Sequence, residues 1–153
     1  MFQKLLQILK KNHQTIAFAE SCTGGLLSSS FTEISGVSEV FKGSVVAYAN
    51  EVKEDLLSVS KKSLESEGAV SEAVALQMAH GVRNKMKTSW GVAITGIAGP
   101  NGGTKEKPVG TVCFAVVGPH FEKTIKKRFS GDRIEIQKQS VNSARELIEE
   151  SLK

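Results

Sequence analysis

One short stretch constrains the fold of this chain more than any other: Ala19-Glu20-Ser21-Cys22-Thr23-Gly24-Gly25. An apolar run typical of a β-strand (15–19) precedes it, and an apolar run typical of a helix (26–31) follows it. A strand that turns into a helix through small residues leaves unpaired backbone N–H groups at the helix N-terminus. Such groups favour anions and developing oxyanions, and glycines let a ligand approach the backbone closely. The stretch therefore predicts chemistry on a small anionic or carbonyl substrate.

Length and composition indicate one ordinary globular domain. The chain has 153 residues, 40% hydrophobic and 24% charged, and we predict a single domain over 1–153. The formal net charge is +4, with most of the surplus in 4–11 and 123–128. Basic segments attract nucleic acid or phosphorylated metabolites, or only solvate the surface. Because the charges are not interleaved with aromatics as a stacking surface requires, we favour the solvated surface and expect no nucleic-acid partner.

The cysteine and histidine pattern argues against a disulfide framework or a metal site. Cys22 and Cys113 are too few and too far apart, and the three histidines are isolated from one another in sequence. We find no N-terminal signal and no apolar run near the ~20 residues of a membrane span. The sequence therefore predicts a soluble cytoplasmic protein with no membrane partner.

Hydrophobic periodicity and capping residues predict alternating helices and strands. The predicted helices cover 2–12, 25–34, 50–57 with Asn50 as N-cap, a short one from Ser60 to about 68, one starting at Ser71, and one from Asp132 through 152. The predicted strands cover 16–19, 45–49, 90–95, 109–117 and an edge strand at 123–129. This order is typical of an α/β protein, a three-layer α/β/α sandwich with a mixed, mostly parallel central sheet.

Three strand ends are expected to converge on one cleft. Ligands of such sheets collect at the carboxyl ends of the strands, where the 21–25 turn, the Tyr48-Ala49-Asn50 segment and the glycine-rich loop 96–103 all lie. The loop lacks the patterns of a P-loop or a dinucleotide fold. Thr95 and the N–H groups of 96–99 are nevertheless suited to hold a phosphate or an oxyanion.

Within that cleft the sequence offers two nucleophiles and one base. Ser21 and Cys22 are adjacent, and spacing alone leaves open which one faces the ligand. No histidine has an obvious route to them. Lys53 lies in the first turn of the helix after the second strand, where the helix dipole disfavours a cation and lowers the pKa of the amine. On position alone, however, a solvated helix lysine is the more common case. Tyr48 is suited to relay a proton, although a core tyrosine is the more common case.

Several motifs occur in an order that resembles the CinA C-terminal domain family, and the resemblance covers about residues 5–150. They are Ala19-Glu20-Ser21-Cys22-Thr23-Gly24-Gly25, Tyr48-Ala49-Asn50-Glu51-Val52-Lys53, Gly68-Ala69-Val70-Ser71-Glu72, Thr95-Gly96-Ile97-Ala98-Gly99-Pro100, Gly102-Gly103, Lys107-Pro108-Val109-Gly110-Thr111-Val112 and Phe129-Ser130-Gly131-Asp132-Arg133. Any one of these motifs alone would be a weak signal, whereas their order makes the resemblance specific.

The resemblance implies hydrolysis of the carboxamide of nicotinamide mononucleotide to nicotinic acid mononucleotide and ammonia, in pyridine nucleotide salvage for NAD synthesis. It implies a catalytic Ser21, Lys53 and Tyr48, no metal or organic cofactor, a homodimer, and a stand-alone form of the domain. With that substrate, oxyanion and phosphate contacts are expected from Thr23, Gly24, Gly25, Thr95, Gly96, Gly99 and Arg133.

Two further interpretations stay open. The chain is alternatively a non-catalytic nucleotide- or phosphate-binding module related to competence or stress, which needs the glycine-rich loops but no neutral Lys53. The composition of the 101–108 loop, Asn-Gly-Gly followed by polar residues, also suggests a lid over the substrate.

Overall fold

The computed structural model describes residues 1–153 and contains five strands and six α-helices. The strands are β1 (Ile16–Glu20), β2 (Phe41–Val46), β3 (Trp90–Gly96), β4 (Thr111–Gly118) and β5 (Phe121–Arg128). The helices are α1 (Gln3–Lys11), α2 (Leu26–Thr32), α3 (Asn50–Leu57), α4 (Lys61–Ser66), α5 (Glu72–Met86) and α6 (Arg133–Ser151), with a 3-10 turn at Val37–Glu39. No helix is both long and apolar enough to cross a membrane.

The strands form one mixed sheet in the order β2-β1-β3-β4-β5. β1 pairs in parallel with β2 and β3, whereas β4 pairs antiparallel with β3 and β5. Three of the five strands therefore run parallel, and the C-terminal hairpin makes the sheet mixed, as the sequence predicted. β5 is an edge strand with exposed lysines, which discourage edge-to-edge aggregation.

Two hydrophobic cores, one on each face of the sheet, give the predicted three layers. On one face α1, α2 and α6 cover large side chains of the sheet such as Phe18, Ile94 and Phe114. On the other face α3 and α5 pack against small ones such as Ala19 and Ala93. The small residues let α5 lie close to the sheet, and the α/β/α prediction is confirmed.

The connections create a crevice at the end of β1. The chain leaves β1 through α2 on one face to reach β2, and then crosses the other face through α3, α4 and α5 to reach β3. β1 thus lies between two strands whose connections cover opposite faces of the sheet. In open α/β sheets, ligands bind at such a point, outside the carboxyl ends of the strands.

Most predicted boundaries hold, and two differ for local reasons. Ser60, Ser71 and Asp132 cap the helices that follow them, and Asp132 forms a reciprocal capping box with Glu135. Asn50 was expected to cap α3 but is its first residue, and the cap is Ala49, which has extended dihedrals and no side-chain bond. β2 was expected at 45–49 and covers 41–46, because this edge strand is only partly buried and its first four residues, which include Lys42, Gly43 and Ser44, do not form an apolar run.

A glycine in the middle of α5 sets how closely α3 approaches it. Alanine in place of glycine inside a helix normally stabilises by about 1 kcal/mol. At Gly81 a Cβ would instead lie well inside contact distance of the backbone carbonyl of Leu57, the last residue of α3. We therefore expect Gly81→Ala to lower the free energy of unfolding by about 1–3 kcal/mol in urea denaturation.

Asn84→Ala is the matched control, since Asn84 is an exposed residue of the same helix. It is expected to leave stability unchanged or to raise it by about 0.5 kcal/mol. A Gly81→Ala protein at least as stable as wild type would show that α3 and α5 are not held at this separation.

Candidate functional site

A cleft of about 240 Å³ lies at the carboxyl ends of β1 and β3. The three strand ends singled out in the sequence all contribute to its lining. The lining residues are Ser21, Cys22, Tyr48, Asn50, Lys53, Ala69, Val70, Thr95, Gly96, Ile97, Ala98, Gly99, Asn101, Gly102 and Arg133.

Ser21 and Lys53 form the chemically distinctive pair of the cleft. Lys53 Nζ lies 3.0 Å from Ser21 Oγ and donates to the backbone oxygens of Ala47 at 2.8 Å and Tyr48 at 3.2 Å. Lys53 is only 1% exposed, and Ser21 is 7% exposed. The amine is therefore enclosed by neutral oxygen atoms, and no carboxylate lies within ion-pair distance of it.

This enclosure favours the neutral form of the amine. Burial lowers the pKa of Lys53 from its ordinary value, because the charged form loses hydration that no counter-ion replaces. A neutral amine has two N–H groups and one lone pair. With the N–H groups on the carbonyls of Ala47 and Tyr48, the lone pair is left for the hydroxyl proton of Ser21.

Local helix geometry explains how Lys53 reaches that position. It is the fourth residue of α3, and helical side chains point back toward the helix N-terminus. The side chain therefore folds over the start of α3 onto the segment between β2 and the helix. Ser21 meets it from β1, since its N–H donates to the carbonyl of Ile94 and extends the pairing of β1 with β3 by one residue.

Tyr48 and Arg133 lie together at the mouth of the cleft. Arg133 donates to the hydroxyl oxygen of Tyr48 at 2.8 Å and to the carbonyl oxygen of Gly99 at 2.7 Å. The Tyr48 ring is 58% exposed, and its hydroxyl forms no hydrogen bond with Ser21 or Lys53. Its backbone carbonyl, rather than its ring, contacts Lys53. A proton relay through Tyr48 stays a prediction.

The structure distinguishes the two candidate nucleophiles. Cys22 is buried, and burial raises the pKa of its thiol to about 12. The reactive thiolate is therefore scarce near neutral pH. Cys113 is buried in β4 within the α5-side core, away from the cleft, as expected. Lys53 Nζ lies within hydrogen-bond distance of Ser21 Oγ and forms no hydrogen bond with the Cys22 thiol, and this contact favours Ser21.

The expectation that the N-terminal N–H groups of α2 face a ligand is wrong. A buried carboxylate that sequence reasoning overlooked, that of Glu20, accepts from the N–H groups of Leu27 at 2.8 Å and Ser28 at 3.0 Å. It also accepts from the hydroxyls of Thr23 at 2.7 Å and Ser28 at 2.6 Å. An acidic residue shortly before a helix, with hydroxyl residues around the helix start, is the signal that predicts such capping.

The predicted ligand contacts divide into two groups. Thr95, Gly96, Gly99 and Arg133 line the cleft, whereas Thr23, Gly24 and Gly25 do not. Thr95 donates its hydroxyl to the carbonyl of Ala69 and so joins β3 to the segment before α5. Asn50 and Asn101 place amide-bearing residues in the lining that the sequence reasoning did not select.

The cleft contains basic but no acidic side chains. Lys53 and Arg133 are its ionisable basic residues, and none of its lining residues is acidic. The histidines lie outside the lining, and His80 pairs with Glu122 on β5 at 2.9 Å. No three His, Cys, Asp or Glu side chains are grouped to hold a metal ion. Arg133, at the mouth, is the residue suited to an anionic group.

The loop after β3 reaches across the cleft to the connection between α4 and α5. Asn101 and Gly102 line the cleft, and a turn follows in which Thr104 N–H donates to the carbonyl of Lys107 at 2.8 Å. The Lys107 amine donates to the carbonyl of Glu67, beyond the end of α4. The predicted lid motion of this loop stays a prediction.

Comparison with known proteins gives a consistent result. The chain matches the family model of the CinA C-terminal domain over residues 1–152. A CinA-like protein of Prochlorococcus marinus (strain MIT 9312) is 55% identical over 141 residues, 90% of this chain and 33% of that protein. A CinA-like protein of Fervidobacterium nodosum is 51% identical over 140 residues, 92% of this chain and 34% of that protein. The chain spans about a third of the length of these curated relatives.

Solved structures share the fold over nearly the whole chain. The competence/damage inducible protein CihA from Agrobacterium tumefaciens is 38% identical with a TM-score of 0.93, covering 95% of this chain and 90% of that one. A CinA superfamily protein from Klebsiella pneumoniae 700603 is 32% identical with a TM-score of 0.94, covering 97% and 93%. These similarities confirm the predicted resemblance and fold class.

The lowered pKa of Lys53 predicts a pH-dependent stability difference between wild type and Lys53→Met. Above the ordinary lysine pKa of 10.5 the amine is neutral whether the chain is folded or unfolded. As the pH falls below 10.5, the unfolded chain binds a proton that the folded chain does not. The wild type then loses stability relative to Lys53→Met by up to about 1.4 kcal/mol per pH unit, and the loss levels off below the folded-state pKa.

Urea unfolding of both proteins between pH 7 and 10.5 measures this difference. Lys62→Met, at an exposed position of α4, is the control and is expected to show a difference that does not vary with pH. A constant difference for Lys53→Met as well would mean that Lys53 is protonated normally in the folded protein.

Proposed function

Because the chain belongs to the CinA C-terminal domain family, we propose that it hydrolyses the carboxamide of nicotinamide mononucleotide to nicotinic acid mononucleotide and ammonia. One observation carries the proposal. The buried amine of Lys53 lies 3.0 Å from Ser21 Oγ, has no acidic partner, and bonds otherwise to two carbonyl oxygens. A serine beside a neutral lysine is an activated nucleophile for acyl transfer.

In the first half of the reaction Ser21 Oγ attacks the amide carbon while its proton moves to Lys53 Nζ. The carbonyl π-electrons move onto oxygen and form a tetrahedral oxyanion. The oxyanion then collapses, the C–N bond breaks, and the leaving nitrogen takes the proton from Lys53 and departs as ammonia. The product of this half is an ester between the pyridine carbonyl and Ser21.

The second half reverses these roles with water. Lys53 takes a proton from water as the hydroxide adds to the ester carbon, and it returns that proton to Ser21 Oγ as the C–O bond breaks. Nicotinic acid mononucleotide leaves as the carboxylate. None of these steps calls for a metal or an organic cofactor.

The backbone N–H group of Cys22 is suited to the oxyanion. Cys22 follows the nucleophile directly and lines the cleft, and its N–H group donates to no other residue, whereas the N–H of Ser21 is already bonded to Ile94. Backbone N–H groups beside a nucleophile are the usual oxyanion donors of serine hydrolases. The N–H groups of Ala98 and Gly99, which also line the cleft, are the alternative donors, since that of Ile97 is bonded to the carbonyl of Thr111.

Arg133 is the proposed partner of the 5′-phosphate. Its guanidinium has five N–H donors, of which two are used by Tyr48 and Gly99. The remaining donors, at the mouth of a cleft with no acidic lining residue, suit a dianionic phosphate. The same features also suit the alternative function, a phosphate-binding module that performs no chemistry.

The first test is ammonia release from nicotinamide mononucleotide by purified wild type, Ser21→Ala, Lys53→Met and Cys22→Ala. We expect Ser21→Ala to fall to background and Lys53→Met to lose about 10²–10⁴-fold in kcat. Cys22→Ala is the matched control, because its thiol is the neighbouring nucleophile and is expected to be dispensable.

The outcomes separate the hypotheses. Loss in Cys22→Ala with activity retained in Ser21→Ala would move the nucleophile to Cys22. A folded wild type that binds nicotinamide mononucleotide but releases no ammonia would favour the binding module.

The phosphate assignment is tested by comparing nicotinamide mononucleotide with nicotinamide riboside, which lacks the phosphate. Arg133→Ala is expected to raise KM for the nucleotide about 10–100-fold, since a charged hydrogen bond is worth about 1.5–3 kcal/mol, and to change KM for the riboside far less. Arg128→Ala, at an exposed position on β5, is the control. An equal change for both substrates would place the phosphate elsewhere.

A further inference from the structure

The carboxylate of Glu20 is a buried charged group that the proposed reaction does not use. It is 0% exposed, and it accepts four hydrogen bonds. Its Oε1 takes the hydroxyl of Thr23 and the N–H of Leu27, and its Oε2 takes both the N–H and the hydroxyl of Ser28. A carboxylate accepts at about four positions, so its capacity is filled by these residues.

These four bonds tie both ends of one turn to a single group. Glu20 ends β1, and its backbone carbonyl accepts from the N–H of Ala47 at 2.8 Å. Its side chain reaches the middle of the turn at Thr23 and the first residues of α2 beyond it. The segment 21–25 between these anchors contains the nucleophile and two glycines with positive φ, which would otherwise leave it free to move.

Some backbone N–H groups of the turn form hydrogen bonds within it, and others do not. Gly24 N–H donates inward to the carbonyl of Ser21 at 3.0 Å, and Leu26 N–H to that of Thr23 at 2.9 Å. The N–H group of Cys22, which lines the cleft, donates to no other residue. Glu20 accepts from the N–H groups at the start of α2. Those donors are therefore not available to compete for a group bound at the turn.

We propose that Glu20 is a positioning residue, whose carboxylate holds the 21–25 turn so that Ser21 Oγ and the N–H group of Cys22 after it keep the geometry for acyl transfer. The proposal rests on the proposed Ser21 chemistry. Glu20 acts through the turn and not on the substrate, because its four acceptor positions are occupied and it contacts neither Ser21 Oγ nor Lys53 Nζ.

The test is Glu20→Gln, which keeps the shape but places an amide group that cannot accept from both Ser28 donors. We expect kcat for nicotinamide mononucleotide to fall about 10²-fold, the effect of losing one oxyanion donor, while KM changes less than about threefold. Ser28→Ala removes one of the four bonds and is expected to show a smaller loss of kcat in the same direction. If Glu20→Gln does not fold, Ser28→Ala alone tests the proposal.

Leu9→Ala controls for loss of stability alone, because Leu9 is a core residue of α1, outside the cleft lining. It is expected to lower the unfolding midpoint with kcat unchanged at a temperature where the protein is folded. If Glu20→Gln and Ser28→Ala lower the midpoint but keep the wild-type kcat, Glu20 is only structural and the proposal fails.

A second readout is independent of the natural substrate. The rate at which p-nitrophenyl acetate acylates Ser21, followed by p-nitrophenolate release and by mass, reports on the nucleophile and the oxyanion donors together. Wild type that is acylated but releases no ammonia from the nucleotide would refute the proposed substrate, while slower acylation of Glu20→Gln would still support positioning. Equal acylation rates, or no acylation of wild-type Ser21, would overturn the positioning role.

Discussion

Burying an amine without a counter-ion is the constraint around which the cleft is arranged. Lys53 has lost its water, and in place of a carboxylate it has two backbone carbonyls and the hydroxyl of Ser21. An acidic neighbour would hold the proton on the amine and leave no lone pair for the serine. The absence of acidic residues from the lining is therefore a requirement of the base and suits an anionic ligand at Arg133 as well.

The fold supplies this arrangement through its connections. β1 lies between β2 and β3, and the connections from it to these two strands cover opposite faces of the sheet, so that Ser21, the segment after β2 and the loop after β3 meet at one edge. Gly81 lets the C-terminal end of α3 lie against α5. The two cores on opposite faces of the sheet hold these elements in place.

Local patterns were enough to predict the layers and most helix caps, because strand ends and helix starts can be identified from neighbouring residues. The pairing of Ser21 with Lys53 was predicted only from the family resemblance. The hydrogen bonds of the Glu20 carboxylate could not be predicted from local patterns. Its partners lie three to eight residues away and depend on how the turn folds, so the N-terminus of α2 was taken as open when Glu20 occupies it. Likewise, spacing alone could not choose between Ser21 and Cys22, since the choice depends on which of the two side chains Lys53 contacts in the folded chain. The hydrogen bond from Arg133 to Tyr48 joins residues 85 positions apart, so it could be identified only in the folded chain.

The most direct measurement is an NMR titration of the Lys53 side chain, with its ¹³Cε resonance assigned by its disappearance in Lys53→Met. If Lys53 is the general base, this resonance titrates below the ordinary lysine pKa of 10.5 and separately from the exposed lysines. Replacing Ser21 by alanine would leave that pKa lowered, because burial and not the hydroxyl causes it. A Lys53 resonance that titrates together with the exposed lysines would contradict the neutral amine, and with it the assignment of Lys53 as the base.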